Sequence, residues 1–384
     1  MAARASLDHN SKNHLYFTSR VLLKALVLFA VINLLFAVFY PVPALGRFSV
    51  YNTIVAGRAR LPYGENPSRA YNLSLFNLDA MFASHEISDG PKPDNEFRVI
   101  LIGDSSTWGY LLPADKTLSA YLNQAGIVLP DGKKVRTYNL GYPVMSLAKD
   151  LLILSRAAQY QPDLIVWLVT LESFPTDKQY SAPLLQHNSS AVEELVSEYS
   201  LNLPVTDIDV TQRSLWDKTI IGSRRELADW FRLQLYGFLW SATGIDQEIP
   251  DEYPARIEDF SDDDSFHDLQ QPLIDESLAF DILQSGIAMG DGKPVLIVNE
   301  PIFISQGVNS HIRYNFYYPR WAYDGYRQML EARSERENWN YLDLWDSIPP
   351  TEFTNTAIHL TPHGTKMLAG WIGEAVLAAV GQEP

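Results

Sequence analysis

Four short runs of mostly apolar residues, each bounded by turn formers, constrain this chain more than any other feature: 97-FRVILIG-103, 135-VRTYNLG-141, 164-LIVWLVT-170 and 294-PVLIVNE-300. A strand with one wet face alternates apolar and polar residues, whereas a near-continuous apolar run is read as covered on both faces. Helix candidates separate and follow these runs: 115-DKTLSAYLNQAG-126, 146-SLAKDLLILSRAAQY-160, 275-DESLAFDILQSGIAM-289 and 321-WAYDGYRQMLEARSERE-337. A fifth strand, 340-NYLDLW-345, and a last helix, 362-PHGTKMLAGWIGEAVLAAV-380, close the series. Alternating β and α predicts an α/β fold, a parallel sheet with helices on both faces. In such sheets reactive groups collect at the carboxyl ends of the strands.

Ahead of this pattern lies 21-VLLKALVLFAVINLLFAVFY-40, a different kind of apolar stretch. At about 1.5 Å per residue it spans a hydrocarbon core of roughly 30 Å. Lys24 can snorkel to the interface, and Pro41 and Pro43 stop the helix. Arg4, Lys12, Arg20 and Lys24 flank the N-terminal side, which puts residues 1–20 in the cytoplasm and the rest of the chain outside. The expected organisation is a cytoplasmic tail (1–20), a transmembrane helix (21–41), a juxtamembrane segment (42–96) and an α/β domain (97–381). A cleaved signal peptide is the rival reading, because Val42-Pro43-Ala44 resembles a cleavage site; the apolar core and leading segment are long for one. In the juxtamembrane segment a short helix is expected over 75–87, followed by the breaker 88-SDGPKPDNE-96.

An insertion of about residues 175–274 separates the third and fourth strands. It ends in an acidic tract, 258-EDFSDDDSFHD-268, and contains an aromatic amphipathic helix, 223-SRRELADWFRLQLYGFLWSATG-244. That helix reads as a lid over the sheet edge. A membrane-surface role is the alternative, through Trp230, Phe231, Leu235, Phe238 and Trp240. Asp229 and Arg232 argue against a second span.

Composition removes several function classes. The net charge of −16 argues against nucleic acid. With no cysteine, thiolate catalysis and thiolate metal sites are excluded. The eight histidines lack paired ligand spacing, so no metal is expected. Neither GxGxxG nor a P-loop occurs, so no nucleotide or other cofactor is expected.

Two places carry chemistry. Gly103-Asp104-Ser105 ends the first strand just before a helix, a turn that lifts a serine to the sheet's rim near backbone amides. The sequence 358-IHLTPHG-364 stands directly before the last helix, where His359 can reach the first strand's end and act as general base. His363 reads as a helix-entry residue. Taken alone, the tripeptide reads more readily as an ordinary polar turn.

Together the two places resemble the SGNH, or GDSL-type, hydrolases. Gly103, Asp104, Ser105 and Gly109 match the GDSxxxG block, and His359, Leu360, Thr361, Pro362 and Gly364 match DxxHLTPxG. The resemblance covers about residues 97–380 apart from the insertion. It implies a flavodoxin-like three-layer α/β/α sandwich and serine ester chemistry, with Ser105 as nucleophile, His359 as base and the Ser105 N–H as an oxyanion donor. Three departures accompany it. In 139-NLGYPVMS-146 the second block keeps Gly141 but has Val144 at the later position, where a positive φ is costly. Glu172 aligns with the usual third-block Asn, and a carboxylate donates to an oxyanion only when protonated. Thr356, with Asn355 beside it, stands where an Asp is usual; Asn355 or a backbone carbonyl is left to orient His359.

The chain therefore reads as a membrane-anchored extracytoplasmic serine esterase or O-acyltransferase for an acylated glycan or similar surface ester. The competing reading is a catalytically degenerate binding or assembly module of the same fold. Three further features stay open. Glu300 ends the fourth strand, either pointing to the same rim or standing as an exposed strand-end charge. The tract 313-RYNFYYPRW-321 suits sugar stacking or a packed surface loop, and His85 has no evident partner.

Overall fold

The computed structural model describes residues 2–46, 48, 65, 78–201, 214–243, 249–253, 262–290 and 292–381. Five strands form one parallel sheet: β1 (Glu96–Ile102), β2 (Lys134–Asn139), β3 (Leu164–Val169), β4 (Val295–Asn299) and β5 (Asn340–Asp343). Their order is β2-β1-β3-β4-β5, the flavodoxin-like arrangement. Glu96 pairs with Lys134, Val99 with Leu164, Ile165 with Val295 and Leu296 with Asn340. The final residues of the predicted runs, Gly103, Gly141, Thr170 and Glu300, leave the ladder and build the loops at the carboxyl rim.

The main helices are α1 (Ala2–Phe39), α2 (Leu78–Ser84), α3 (Ser105–Trp108), α4 (Leu118–Gln124), α5 (Leu147–Ala157), α6 (Ser189–Tyr199), α7 (Arg224–Thr243), α8 (Phe280–Met289), α9 (Arg320–Glu337) and α10 (Pro362–Gly381). Strand side chains divide between two cores with the period of two that a pleat imposes. Val99, Leu101, Val166, Leu168 and Val298 share a core with Leu118 and Leu122 of α4 and Leu368 and Ile372 of α10. Ile100, Ile102, Ile165, Trp167 and Ile297 share the other with α5, α8 and α9. Both faces are thus covered, which is why these strands show no apolar–polar alternation.

That second core begins earlier than the sequence suggests. Leu78, Met81 and Phe82 of α2, and Ile87, pack into it ahead of Glu96. Glu65 is also fastened to this layer: its carboxylate accepts from the Asn139 N–H at 2.8 Å and the Glu86 N–H at 3.2 Å. His85 lies 3.7 Å from Glu65, which supplies the partner the sequence lacked. The first part of the insertion packs here too, through Leu184, Leu185, Val192 and Leu195. The 313–321 tract is core rather than a sugar platform at Tyr314 and Tyr318, which are buried against Tyr323.

The window Tyr16–Phe39 of α1 is long and apolar enough to cross a membrane. The helix that the sequence suggests as a lid, α7, is joined to this N-terminal segment: Trp230 Nε1 donates to the Phe48 carbonyl at 3.4 Å. The side chains of Phe238 and Trp240 lie outside the described residues.

Candidate active site

β1 runs into a one-turn helix through Asp104. As N-cap, Asp104 accepts from the Ser106 N–H at 2.7 Å, and Gly109 ends the turn in the left-handed region with φ 91°. Ser105 is the first helical residue, so its N–H has no intrahelical acceptor. Its Oγ lies 2.8 Å from His359 Nε2, although the two residues are 254 positions apart.

His359 is delivered by a hairpin. The Thr354 N–H donates to the His359 carbonyl at 2.9 Å and the Thr361 N–H to the Glu352 carbonyl at 2.8 Å. The turn between them brings Asn355 against the ring, with Oδ1 2.8 Å from His359 Nδ1. Thr356, the position expected to hold the orienting acid, does something else. Its hydroxyl accepts from the backbone N–H of His359 at 3.1 Å and of Ile358 at 3.3 Å, so it shapes the turn and does not touch the ring nitrogens. Asn355 Oδ1 accepts the Nδ1 proton, which leaves Nε2 as the acceptor facing Ser105. Burial pushes His359 down to about 4, so the imidazole is neutral near pH 7. Tyr110 packs beside it with ring centroids 5.0 Å apart.

The second rim loop follows β2. The Gly141 N–H donates to Asn139 Oδ1 at 3.0 Å and is therefore engaged. Gly141 is required for another reason: a Cβ there would lie 2.4 Å from the Trp108 nitrogen, so only glycine lets this loop press against the serine helix. Val144 takes the left-handed conformation with φ 79°, a rare state for a β-branched residue and typical of strain kept at functional sites. The later block position therefore sits in the backbone region that favours glycine.

Glu172 does not supply an oxyanion donor. It follows β3 at the rim, but its carboxylate pairs with Lys178 and lies 2.8 Å from His267 Nε2. Burial alone would raise it, yet these partners hold it below the ordinary glutamate range, so it is ionised and can only accept. Glu172, His267, Arg313, Phe316 and Tyr317 line a cleft of about 350 Å³.

Under the serine turn lies a buried ionic layer, of which sequence reasoning missed Lys149 and Asp150. Lys149 is fully buried, donates to the Gly103 and Tyr142 carbonyls at 2.8 Å each, and pairs with Asp150 at 2.6 Å. One ammonium thus clamps the β1 loop to the β2 loop. Trp167 Nε1 holds the other Asp150 oxygen at 3.1 Å. Glu300, far from being an exposed charge, is buried beside Asp104 and Ser106; desolvation, then the Asp104 charge, raises its carboxyl well above the usual range. Burial also raises Asp104. The available signal was Lys149-Asp150, two charges in a helix otherwise rich in Leu, Ile and Ala.

The parallel sheet order, the Gly-Asp-Ser turn after β1 and the histidine hairpin ahead of α10 now stand together on one rim. The fold is a parallel α/β sheet of flavodoxin-like order. No protein-family model matches the chain, nor does any curated protein. Among solved structures it is similar to a carbohydrate acetylesterase family member from Sinorhizobium meliloti, at 13% identity and a TM-score of 0.34, over 74% of this chain and 99% of that one. It is also similar to a candidate lipolytic protein of the G-D-S-L family from Desulfitobacterium hafniense DCB-2, at 13% identity and a TM-score of 0.31, over 73% of this chain and 99% of that one.

The rim can do a specific kind of work. A hydroxyl aligned on a neutral imidazole can lose its proton as it attacks. Among the described residues no group of three or more His, Asp or Glu is arranged to hold a metal ion.

Proposed function

We propose that the chain is a membrane-anchored, extracytoplasmic serine esterase or O-acyltransferase. Its substrate would be an acylated glycan or a similar surface ester, and it would work through an acyl-Ser105 intermediate. The observation that carries this reading is the aligned Ser105–His359–Asn355 chain, with both links at 2.8 Å. Ser105 Oγ adds to the ester carbonyl carbon while its proton passes to His359 Nε2. The resulting oxyanion is served by backbone N–H groups, with Ser105 and Val144 in the donor positions. Collapse breaks the bond to the leaving oxygen, which takes the proton back from His359. Water or a sugar hydroxyl, deprotonated in turn by His359, then takes the acyl group as the bond to Ser105 Oγ breaks and Ser105 recovers a proton from His359. Asn355 fixes the tautomer but adds no negative charge, so the imidazolium formed midway is less supported than beside an aspartate. The apolar window Tyr16–Phe39 supports the anchor, with the basic N-terminal flank cytoplasmic.

Labelling of the purified protein with a fluorophosphonate tests this reading. Wild type labels on Ser105, and Ser105→Ala abolishes labelling without loss of the folded state. A folded wild type that does not label would overturn the nucleophile assignment and favour the binding module.

A further inference from the structure

Among the described residues outside α1, several exposed large apolar side chains gather on the insertion. Phe231, Leu235 and Leu239 recur every fourth residue along α7 and are 59%, 50% and 60% exposed. Such spacing puts them in one stripe. Leu215 and Trp216, just ahead of the helix, are 66% and 60% exposed. A patch of this kind on a water-facing surface marks an interaction site.

What covers it is indicated by where the segment is attached. The Ile221 N–H donates to Asn33 Oδ1 at 3.3 Å. Asn33 is a buried polar residue within the apolar window of α1, and its Nδ2 donates back to the Phe29 carbonyl at 2.9 Å. At about 1.5 Å per residue, Asn33 sits about 9 Å before the end of that helix at Phe39. Three further contacts fix the same join. Trp230 reaches the Phe48 carbonyl, the Phe48 and Trp230 rings are 6.1 Å apart, and Lys218 lies over the Tyr40 ring at 5.9 Å. A segment bonded to the span at that depth cannot stand clear of the bilayer. Arg224 and Arg225, exposed at the start of α7, suit the phosphate level in a chain whose net charge is −16.

We infer that residues 214–243 form a second, monotopic membrane contact, in which Phe231, Leu235 and Leu239 enter the outer leaflet beside the anchor helix. This rests on the anchor reading given under Proposed function. The contact would hold the serine rim at a membrane surface and not at the end of a free tether, which favours esters presented at that surface.

The chain has no cysteine, so single replacements can be labelled cleanly. Full-length Leu235→Cys, Leu28→Cys and Val128→Cys would each carry the fluorophore NBD. Each would be reconstituted into phosphatidylcholine–phosphatidylglycerol nanodiscs with and without doxyl-labelled lipid. Leu28 lies within the apolar window, and Val128 is exposed between α4 and β2. The expected result is blue-shifted emission at positions 28 and 235, with about half or more of it lost to doxyl lipid, and none lost at 128. Quenching at 28 with position 235 behaving like 128 would overturn this inference alone. Absence of quenching at 28 would overturn the anchor reading and this inference with it.

Discussion

Two histidines in this molecule face a side-chain oxygen at the same distance, and their surroundings differ in charge. His359 Nδ1 meets the neutral amide of Asn355 at 2.8 Å, and His267 Nε2 meets the ionised carboxylate of Glu172 at 2.8 Å. The first ring keeps its other nitrogen for Ser105; the second sits in an ion cluster completed by Lys178. An acceptor nitrogen aimed at a hydroxyl is what the base proposed above requires, and the contact to Ser105 gives it to His359.

The strongest way to break this comparison is to remove each ring. His359→Ala is expected to slow fluorophosphonate labelling by on the order of 10³-fold or more, and His267→Ala to change it only a few-fold. Equal losses would erase the distinction.

A subtler change makes one pair resemble the other. Burial alone lowers His359 to about 4, so the acidic limb of wild-type labelling should fall near pH 4. Asn355→Asp puts a carboxylate against Nδ1 and should move that limb upward by about 1–3 units, read from labelling rate against pH. The same group bears on stability. The unfolded chain takes up the His359 proton near its ordinary value, so stability falls as pH drops from about 6.5 toward 4. Asn355→Asp should narrow that loss; an unmoved limb would show that the amide is not the ring's controlling partner.

The smallest effect concerns the strained position on the rim, Val144. Val144→Gly keeps the backbone N–H and relieves the φ of 79°, so it should stabilise the protein by about 1 kcal/mol while leaving labelling within a few-fold. Loss of labelling would mean that the valine side chain itself is needed.

The sheet was legible because burial on both faces leaves a simple trace: β3 is apolar at every position from Leu164 to Val169. Ser105 and His359 were legible because their chemistry lies in residue type and in position relative to strand and helix ends. Asn355 was not clearly so. Counting back from the histidine selects Thr356, and only the hairpin that pairs Thr354 with His359 shows which neighbour meets the ring. Glu172 aligned with a donor position, yet its charge is set by Lys178 and by His267 from the far end of the insertion. Lys149 reads as an ordinary helix charge until tertiary packing closes two carbonyls around it.

Asn139 links these parts. Its Oδ1 holds the Gly141 N–H, its Nδ2 donates to the Trp108 carbonyl at 3.2 Å, and its own N–H is capped by Glu65. Glu65, well ahead of the first strand, is thus stitched into the loop that faces the serine. Proteolysis ahead of Glu65 would leave this stitch intact. A cut between Glu65 and α2 would release the same sheet with the Asn139 N–H uncapped, one residue away from the Leu140–Gly141 loop.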